Sequence, residues 1–275
     1  MGVVCRSPLR IAVCAAALLL LPGTLPAQQP AAGTRGAPTV VVTGANRGLG
    51  LEFARQYAAK GWRVIATSRN PEASFDLNRL ADQYQNIAVQ QVDVADLASV
   101  AALAARLANQ PIDVLVNNAG YFGDPADAQL GKIDFSKWDA YYRVNALGPL
   151  QVAEALLPNL LAGQQKKIIA LTSRAGAFSY NTDPQAPKMP GHYFYGGSKA
   201  ALNLMYVTLA NDTRSQGVTV AVVSPGQVDT RDLGMKGPHI VPIERSIAGL
   251  ISVIDGLQIA DSGDFWNWDG TRIDW

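Results

Sequence analysis

The sequence predicts a doubly wound α/β fold, in which helices cover both faces of a parallel sheet of about seven strands. Short β-branched runs alternate with helical stretches from residue 39 to the end of the chain. A glycine-rich turn follows the first run, and the sequence shows neither an internal repeat nor a second domain boundary. Strands buried on both faces are short, continuous apolar runs, so this pattern indicates one α/β domain over residues 39–275.

Strands and helices alternate along this domain. Runs rich in β-branched residues predict strands at Thr39–Thr43, Arg63–Thr67, Ile87–Val92, Ile112–Val116, Lys167–Thr172, Val218–Ser224 and Gly263–Trp268. Apolar residues with helical spacing predict helices at Leu49–Lys60, Phe75–Gln85, Leu97–Asn109, Trp138–Leu161 with an interruption at Gly148-Pro149, Tyr195–Gln216 and Ile243–Leu257. This order is typical of a single-domain Rossmann fold, which binds ligands beyond the carboxyl ends of its strands, where the strand order reverses.

The composition argues against several functional classes. Of the 275 residues, 48% are hydrophobic and 16% are charged, which is typical of a globular protein rather than a disordered one. The formal net charge is +1, without an acidic or basic block, so we expect no nucleic-acid partner. His192 and His239 show no metal-ligand spacing, and both cysteines, Cys5 and Cys14, lie near the N-terminus, so we also expect no metal.

The first 27 residues have the pattern of a secretory signal peptide. Arg6 and Arg10 precede an apolar run at 11–21, and Ala27 offers a small residue at a cleavage point. Residues 28–38 are rich in Ala, Gly, Pro and Gln, which predicts a flexible linker. The pattern predicts export to the periplasm or secretion. The alternatives are an uncleaved anchor, or a cytoplasmic protein whose start codon is misassigned.

A glycine-rich turn, Thr43-Gly44-Ala45-Asn46-Arg47-Gly48-Leu49-Gly50, joins the first strand to the first helix. Glycine is needed where the backbone turns tightly and a phosphate approaches the main chain. The helix that follows directs unpaired N–H groups at that phosphate. The turn is therefore expected to bind the phosphates of a dinucleotide. The residues expected to do so are Gly44, Asn46, Arg47, Gly48, Leu49 and Gly50.

Further motifs follow the later strands: Asp93-Val94 the third, Asn117-Asn118-Ala119-Gly120 the fourth and Pro225-Gly226 the sixth. With the glycine turn, they resemble the classical short-chain dehydrogenase/reductase family over residues 39–275. The resemblance implies that the Asn-Asn-Ala-Gly element borders the cofactor, that Asp93-Val94 lies beside its adenine and that Pro225-Gly226 lies beside its nicotinamide. It also implies that Val228 and Thr230 contact the carboxamide and the phosphates.

The end of the second strand indicates which dinucleotide binds. An enzyme that selects NAD usually places an acid there, to bind the ribose hydroxyl groups. This strand instead ends in Ala66-Thr67-Ser68-Arg69, and Arg47 lies in the glycine turn. Arginine suits a phosphate dianion because its guanidinium forms paired, charge-assisted bonds, so we expect NADP(H) rather than NAD(H). The alternative is that both arginines are solvated surface residues.

A tyrosine and a lysine are the first candidates for the catalytic residues of the predicted site. Tyr195 and Lys199 are four residues apart, which places them on one face of a helix. A nearby positive charge lowers the pKa of a phenol from about 10, so this tyrosine can act as a general acid or base nearer neutral pH. Tyr193 is a competing candidate, but the residue four positions after it is Gly197. The alternative is that Tyr195 and Lys199 are four residues apart by chance, on a surface helix without a catalytic role.

The resemblance adds two more residues to this pair. Ser173, rather than Thr172, fits the Ser-x-x-Gly element of the family, in which the serine holds the substrate oxygen. Asn145 fits the helix asparagine that anchors a water between the lysine and solvent. The resemblance thus implies that Tyr195 protonates the carbonyl oxygen and that Lys199 lowers its pKa and binds the nicotinamide ribose. From the residues themselves, Ser173 and Asn145 could equally form only local hydrogen bonds.

An extended loop separates Ser173 from Tyr195. The extra residues fall in 178–193, and the loop should cover the substrate mouth because it connects two catalytic residues. This loop, the opening glycine turn and the short C-terminal end resemble the sniffer-like and C-factor-like carbonyl reductase branch of the family. An aromatic, apolar pocket could be formed by Tyr121, Phe122, Phe178, Tyr193 and Trp138, although an ordinary core position is the favoured interpretation for Trp138.

The sequence therefore predicts NADPH-dependent reduction of a small aldehyde or ketone to an alcohol, with a small-molecule carbonyl substrate. The family resemblance also implies a homodimer or homotetramer. One alternative is a non-catalytic signalling protein that binds NADP(H), and another is an NAD-dependent alcohol dehydrogenase. A third is a secreted structural or partner-binding protein. NADPH is kept inside cells, and the leader lacks the paired arginines that mark export of folded proteins, so the cofactor favours the cytoplasmic alternative.

Overall fold

A computed structural model describes residues 1–2, 36–186, 192–230, 234 and 237–275. The predicted signal peptide, from residue 3 onward, and residues 28–35 of the predicted linker lie outside the described residues. Residues Ala37–Trp275 form one unit, which contains the whole predicted α/β domain. Within the described ranges, no helix combines the length and the apolar character that crossing a membrane requires.

Seven strands form a single parallel sheet, in the order β3-β2-β1-β4-β5-β6-β7. They are β1 Thr39–Val42, β2 Arg63–Ser68, β3 Ile87–Gln91, β4 Val114–Asn117, β5 Lys167–Leu171, β6 Thr219–Ser224 and β7 Phe265–Asn267. The chain moves outward from β1 to β3, returns to β4 on the other side of β1, and continues to β7. The strand order thus reverses between β1 and β4, where such sheets bind ligands.

Helices cover both faces of the sheet. They are α1 Gly48–Ala59, α2 Phe75–Gln83, α3 Leu97–Arg106, α4 Trp138–Tyr142, α5 Gly148–Ala162, α6 Phe178–Thr182, α7 Tyr193–Thr213 and α8 Ile243–Gly256. One buried cluster joins residues of α1, α2 and α8 to one face of the sheet, and a second joins residues of α3, α5 and α7 to the other. The α/β fold expected from the alternating pattern is confirmed.

The long helical stretch that begins at Trp138 differs from its prediction. The interruption is a π-helical turn at Arg143–Leu147, which comes before Gly148-Pro149. Pro149 has no N–H to donate to the carbonyl four residues earlier, that of Asn145, and its ring crowds that carbonyl, so the preceding turn is widened. Trp138 itself is 42% exposed, so the interpretation of an ordinary core residue is wrong. The spacing of apolar residues could not show that Trp138 is exposed, because the loop before α4 determines which face of that helix is turned toward solvent.

Candidate active site

The glycine turn is fastened to the segment after β4. Thr43 Oγ1 accepts hydrogen bonds from the backbone N–H groups of Asn118 and Ala119, both at 3.0 Å. Asn118 Nδ2 donates to the carbonyls of Thr43 at 2.8 Å and Gly44 at 3.0 Å. The two segments that border the switch point of the sheet are thereby held as one unit.

Two glycines of the turn are required by its geometry. Gly44 has φ +66°, and a Cβ there would lie 2.8 Å from Ala119 Cα. A Cβ on Gly50 would overlap the carbonyl of Gly44 and the side chain of Asn118. The first turn of α1 follows, and no side chain caps its N–H groups. Unpaired N–H groups at a helix N-terminus attract an anion, so the turn fits a dinucleotide phosphate. Asn46 and Leu49 are partly buried within the same turn.

Two exposed arginines are candidates for a phosphate contact, one inside this turn and one after β2. Arg47 is the N-cap residue of α1, and Arg69 comes directly after β2. Neither guanidinium forms an ion pair or hydrogen bond with another residue in the described ranges. Ser68 helps to fix the loop after β2, since its Oγ lies 2.7 Å from Ser74 Oγ and accepts a bond from Asn70 N–H. The arrangement places two free positive charges where sequence reasoning expected a phosphate site.

The remaining predicted cofactor residues lie at the carboxyl ends of other strands. Asp93 Oδ1 accepts a bond from Ala95 N–H at 3.0 Å. Val94 is buried, and its carbonyl lies close to Gly148, where a Cβ would be 2.8 Å away. Gly120, which ends the segment after β4, lies beside Asn145, whose Oδ1 would be 3.5 Å from a Cβ placed there. The loop after β3 therefore packs directly on the start of α5.

The segment after β6 approaches the glycine turn from the other side. Pro225 O accepts a bond from Ser246 Oγ at 2.7 Å, which ties this segment to α8. Gly226 has φ +76°, and a Cβ there would lie 2.7 Å from the Trp268 ring. Thr230 Cβ would lie 3.6 Å from a Cβ on Gly48, and Val228 is partly buried between Gly226 and Thr230. The structure thus brings Thr230 to the glycine turn.

Tyr195 and Lys199 lie on the first turns of α7. The Lys199 ammonium is 6.0 Å from the centre of the Tyr195 ring and donates to Leu171 O, at the end of β5, at 2.7 Å. Only 5% of Lys199 is exposed, and this burial lowers its pKa from the ordinary 10.5 to about 8. Two of its three N–H donors have no partner among the described residues. A buried cation next to a phenol favours the phenolate.

Ser173 differs from Thr172 in what its hydroxyl is free to do. Thr172 is buried, and its Oγ1 is paired with Asn203 Oδ1 at 2.6 Å. Ser173 is partly exposed, and among the described residues its Oγ only accepts a bond, from Ala175 N–H at 3.2 Å, so its proton is available to a ligand. A Cβ on Gly176 would lie 2.7 Å from the Lys199 carbonyl carbon. The Ser-x-x-Gly spacing therefore lets the turn that carries Ser173 pack against α7.

Asn145 is fully buried within the π-helical turn. Its Oδ1 accepts a bond from Tyr121 N–H at 2.6 Å, and its Nδ2 donates to Tyr121 O at 2.7 Å and to Ser198 Oγ at 3.0 Å. The side chain therefore connects the segment after β4 to α7, between Tyr195 and Lys199. The water that the family resemblance implies at Asn145 stays a prediction.

The aromatic residues differ in how they relate to Tyr195. The Phe122 ring lies 4.7 Å from the Tyr195 ring, centre to centre. His192, which sequence reasoning had named only as a histidine without metal spacing, lies 5.8 Å from Tyr195. Phe178 and Tyr193 are 76% and 53% exposed. The only sequence signal that could have found His192 is its position three residues before Tyr195, one helical turn away.

The described part of the chain contains no cluster of three His, Cys, Asp or Glu side chains that could hold a metal ion. The fold and the site together define an α/β oxidoreductase, with its glycine turn and its Tyr–Lys pair at the carboxyl ends of the strands. The family model for short chain dehydrogenases matches residues 38–237. The chain belongs to this family of oxidoreductases, which act on carbonyl and alcohol groups, so the predicted class of enzyme is confirmed.

Individual relatives agree with this assignment. The C-signal of Myxococcus xanthus is 38% identical over 175 residues, which cover 63% of this chain and 99% of the relative. The 1-hydroxy-2-glutathionyl-2-methyl-3-butene dehydrogenase of a Rhodococcus species is 35% identical over 243 residues, covering 86% of this chain and 99% of the relative.

Solved structures give the same result. The NADPH-bound carbonyl reductase from chicken fatty liver superposes with a TM-score of 0.78 at 31% identity, covering 88% of this chain and all of that one. The carbonyl reductase Sniffer of D. melanogaster superposes with a TM-score of 0.76 at 27% identity, covering 87% of this chain and all of that one. The predicted sniffer-like and C-factor-like branch of the family is confirmed.

Proposed function

We propose that the protein is an NADPH-dependent reductase that converts a small aldehyde or ketone to an alcohol, with Tyr195 as the general acid. The observation that carries this proposal is the Lys199 ammonium, which is buried 6.0 Å from the centre of the Tyr195 ring. Burial of a lysine costs free energy, and the one hydrogen bond that Lys199 forms among the described residues, to Leu171 O, leaves two N–H donors for a ligand. The similarity to an NADPH-bound carbonyl reductase supports the same reaction.

The residues around the glycine turn fit NADPH. The uncapped N-terminus of α1 would hold the pyrophosphate, and Arg47 and Arg69 would pair with the additional phosphate on the ribose. No acid follows β2 directly to bond free ribose hydroxyl groups, which disfavours the NAD-dependent alcohol dehydrogenase. Bound NADPH supplies the hydride that reduces the carbonyl carbon.

The side chains of this chain would then hold the substrate and supply the proton. Ser173 would donate its free hydroxyl proton to the carbonyl oxygen, and Tyr195 would transfer its own proton to that oxygen as the carbon is reduced. The positive charge of Lys199 would stabilise the phenolate that remains, and its unpaired N–H donors would bind the nicotinamide ribose. A water at Asn145 would return the proton through Lys199.

The test follows the absorbance of NADPH with purified protein and a panel of aldehydes, ketones and quinones, with NADH measured in parallel. Tyr195→Phe removes the acidic proton and keeps the ring, so we expect it to lower kcat by at least about 100-fold, the lower end of what general acid catalysis contributes. Tyr193→Phe is the matched control, because Tyr193 also begins α7, is 53% exposed and has glycine four residues later. We expect it to retain wild-type activity.

The results separate the proposed reductase from its main alternative. Oxidation of NADPH by the wild type and Tyr193→Phe, but not by Tyr195→Phe, would support the reductase. Tight NADPH binding without turnover of any carbonyl would favour a non-catalytic signalling protein, an alternative to which the C-signal relative gives weight. In that case, Tyr195→Phe should leave the biological effect unchanged. A homodimer or homotetramer is also proposed, to be tested by light scattering.

A further inference from the structure

His192 occupies a position that the chemistry described above does not use. It is the N-cap residue of α7, and its carbonyl accepts a bond from Gly196 N–H at 2.7 Å. Its side chain makes no capping hydrogen bond. Any residue type could supply the backbone carbonyl, so the helix start does not require an imidazole.

The imidazole is packed beside the proposed proton donor. Its ring lies 5.5 Å from the Phe122 ring at 77° and 5.8 Å from the Tyr195 ring at 83°, both edge-to-face. Phe122 and Tyr195 are in turn 4.7 Å apart. These three rings, Phe122, His192 and Tyr195, form an aromatic triangle in which one corner is the general acid. A phenylalanine in place of His192 would pack equally well against these two rings.

The nitrogen atoms of the ring bond nothing within the part of the chain that the structure describes. Among these residues, Nδ1 is buried without a hydrogen-bond partner, and Nε2 has no partner either. A buried polar atom without a partner costs about 1–3 kcal/mol, so a residue selected only for packing would not carry one. Burial also lowers the pKa of His192, which keeps the imidazole neutral near pH 7, with one donor and one acceptor nitrogen.

We propose that His192 is a specificity-determining residue of the reduction, which hydrogen-bonds a hydroxyl group that the substrate carries on the carbon next to its reactive carbonyl. The inference rests on the proposed function. The substrate carbonyl oxygen must come within about 3 Å of the Tyr195 phenol oxygen to receive its proton. The carbon atoms next to that carbonyl are then the part of the substrate that can reach His192, whose ring lies 5.8 Å from the Tyr195 ring, while Phe122 would contact the apolar part.

The experiment compares 2-hydroxyacetophenone with acetophenone, which differ only in that hydroxyl group. His192→Phe keeps the ring packing and removes both nitrogens. We expect it to lower kcat/KM for the hydroxylated ketone about 10- to 100-fold, the usual effect of one lost hydrogen bond to a bound ligand, and to change kcat/KM for acetophenone by no more than about twofold. His192→Gln keeps a donor and an acceptor without the ring and should retain part of the preference.

Two controls distinguish recognition from loss of structure. Phe122→Leu should lower kcat/KM for both ketones by a similar factor, because it removes an apolar contact that they share. The NADPH dissociation constant of His192→Phe should equal that of the wild type, and its thermal midpoint should be at least as high, because the substitution removes a buried polar atom without a partner. An unchanged ratio of the two kcat/KM values in His192→Phe overturns this inference and leaves the reductase intact. A wild type that binds NADPH and reduces neither ketone, nor any other carbonyl of the panel, overturns both.

Discussion

At the scale of single residues, the proposed choice of cofactor depends on a side chain at the end of one strand. Arg69 is exposed and without a partner in the described ranges, so it gains charge-assisted bonds only when a phosphate is present. Arg69→Ala is expected to weaken NADPH binding roughly 10- to 100-fold and NADH binding no more than about twofold. Fluorescence titration of both nucleotides measures the two dissociation constants directly.

Arg63→Ala provides the matched control for this substitution. Arg63 is also exposed, but it begins β2, at the opposite end of the strand from Arg69, and it donates to Gln110 Oε1 at 2.7 Å. A surface bond at that end of the strand should not affect the binding of NADPH. If Arg69→Ala weakened the binding of NADPH and NADH by the same factor, the proposed phosphate contact would be wrong.

The pKa of Lys199 predicts how the activity depends on pH. Its pKa is about 8, so it is mainly charged at pH 7 and loses that charge as the pH rises through 8. A neutral Lys199 no longer favours the phenolate, so kcat/KM for carbonyl reduction should fall above about pH 8. Arginine stays charged at any accessible pH, so Lys199→Arg should move this descending limb to higher pH. The measurement is a pH profile from 6 to about 10, with protein stability checked at each pH. A limb at the same pH in both proteins would assign the titration to another group.

At the scale of elements, the sequence predicts the sheet well for a physical reason. Every predicted strand, and every helix predicted from periodicity, begins and ends within three residues of its place in the structure. Strands of a covered parallel sheet are nearly continuous apolar runs, and glycines and polar turns mark their ends. The sequence alone could therefore predict that the residues after the carboxyl ends of these strands lie close together, without any knowledge of side-chain contacts.

The elements that sequence reasoning missed are those without a periodic signal. α6 has five residues, fewer than two helical turns, so no apolar spacing can develop within it. The π-helical turn at 143–147 depends on how Pro149 displaces the preceding carbonyls. His192 joins Phe122 across a distance of 70 positions in the sequence, and no local pattern reports such a contact.

The C-terminal end of α8 is capped in part by a side chain from the start of a strand, in addition to its own backbone N–H at Leu257. Lys167, at the start of β5, is buried and donates to Ile254 O at 2.7 Å and Asp255 O at 3.0 Å. Burial lowers its pKa, but these carbonyls and the helix dipole favour the charged form. Lys167→Met should therefore lower the free energy of unfolding by about 2 kcal/mol, measured by urea denaturation. Lys132→Met, at an exposed site, is the control, and an equal effect of both changes would contradict the capping role.

At the scale of the whole molecule, export of the chain is a proposal that its N-terminus can test. The signal-peptide pattern predicts cleavage after Ala27, so the mature protein should begin at Gln28. Intact-mass measurement of protein from the periplasm or the medium would detect this new terminus. Recovery of the chain from the cytoplasm with residues 1–27 still present would support the cytoplasmic alternative instead.

The C-terminal residues connect the sheet to the loop between Ser173 and Tyr195. The Trp275 ring packs 5.5 Å from the buried Phe265 ring of β7. Asp274 O accepts a bond from Ser179 Oγ at 2.6 Å, and Trp275 O accepts one from Ser179 N–H at 3.0 Å. These contacts hold α6 in place, five residues after Ser173, although α6 itself is too short to be stable alone.

Trp275→Ala should therefore affect substrate binding more than cofactor binding. Without the ring, residues 274–275 lose their attachment to β7, and α6 loses its fixed position beside the substrate mouth. We expect the KM for the carbonyl substrate to rise about two- to tenfold, because a modest displacement of substrate-positioning residues weakens substrate binding. The NADPH dissociation constant should be unchanged. Ser179→Ala, which removes only the bond to Asp274 O, should have a smaller effect in the same direction. If the KM for the carbonyl substrate stayed at the wild-type value while Trp275→Ala lowered only the thermal midpoint, the C-terminal residues would contribute to stability and not to the placement of α6.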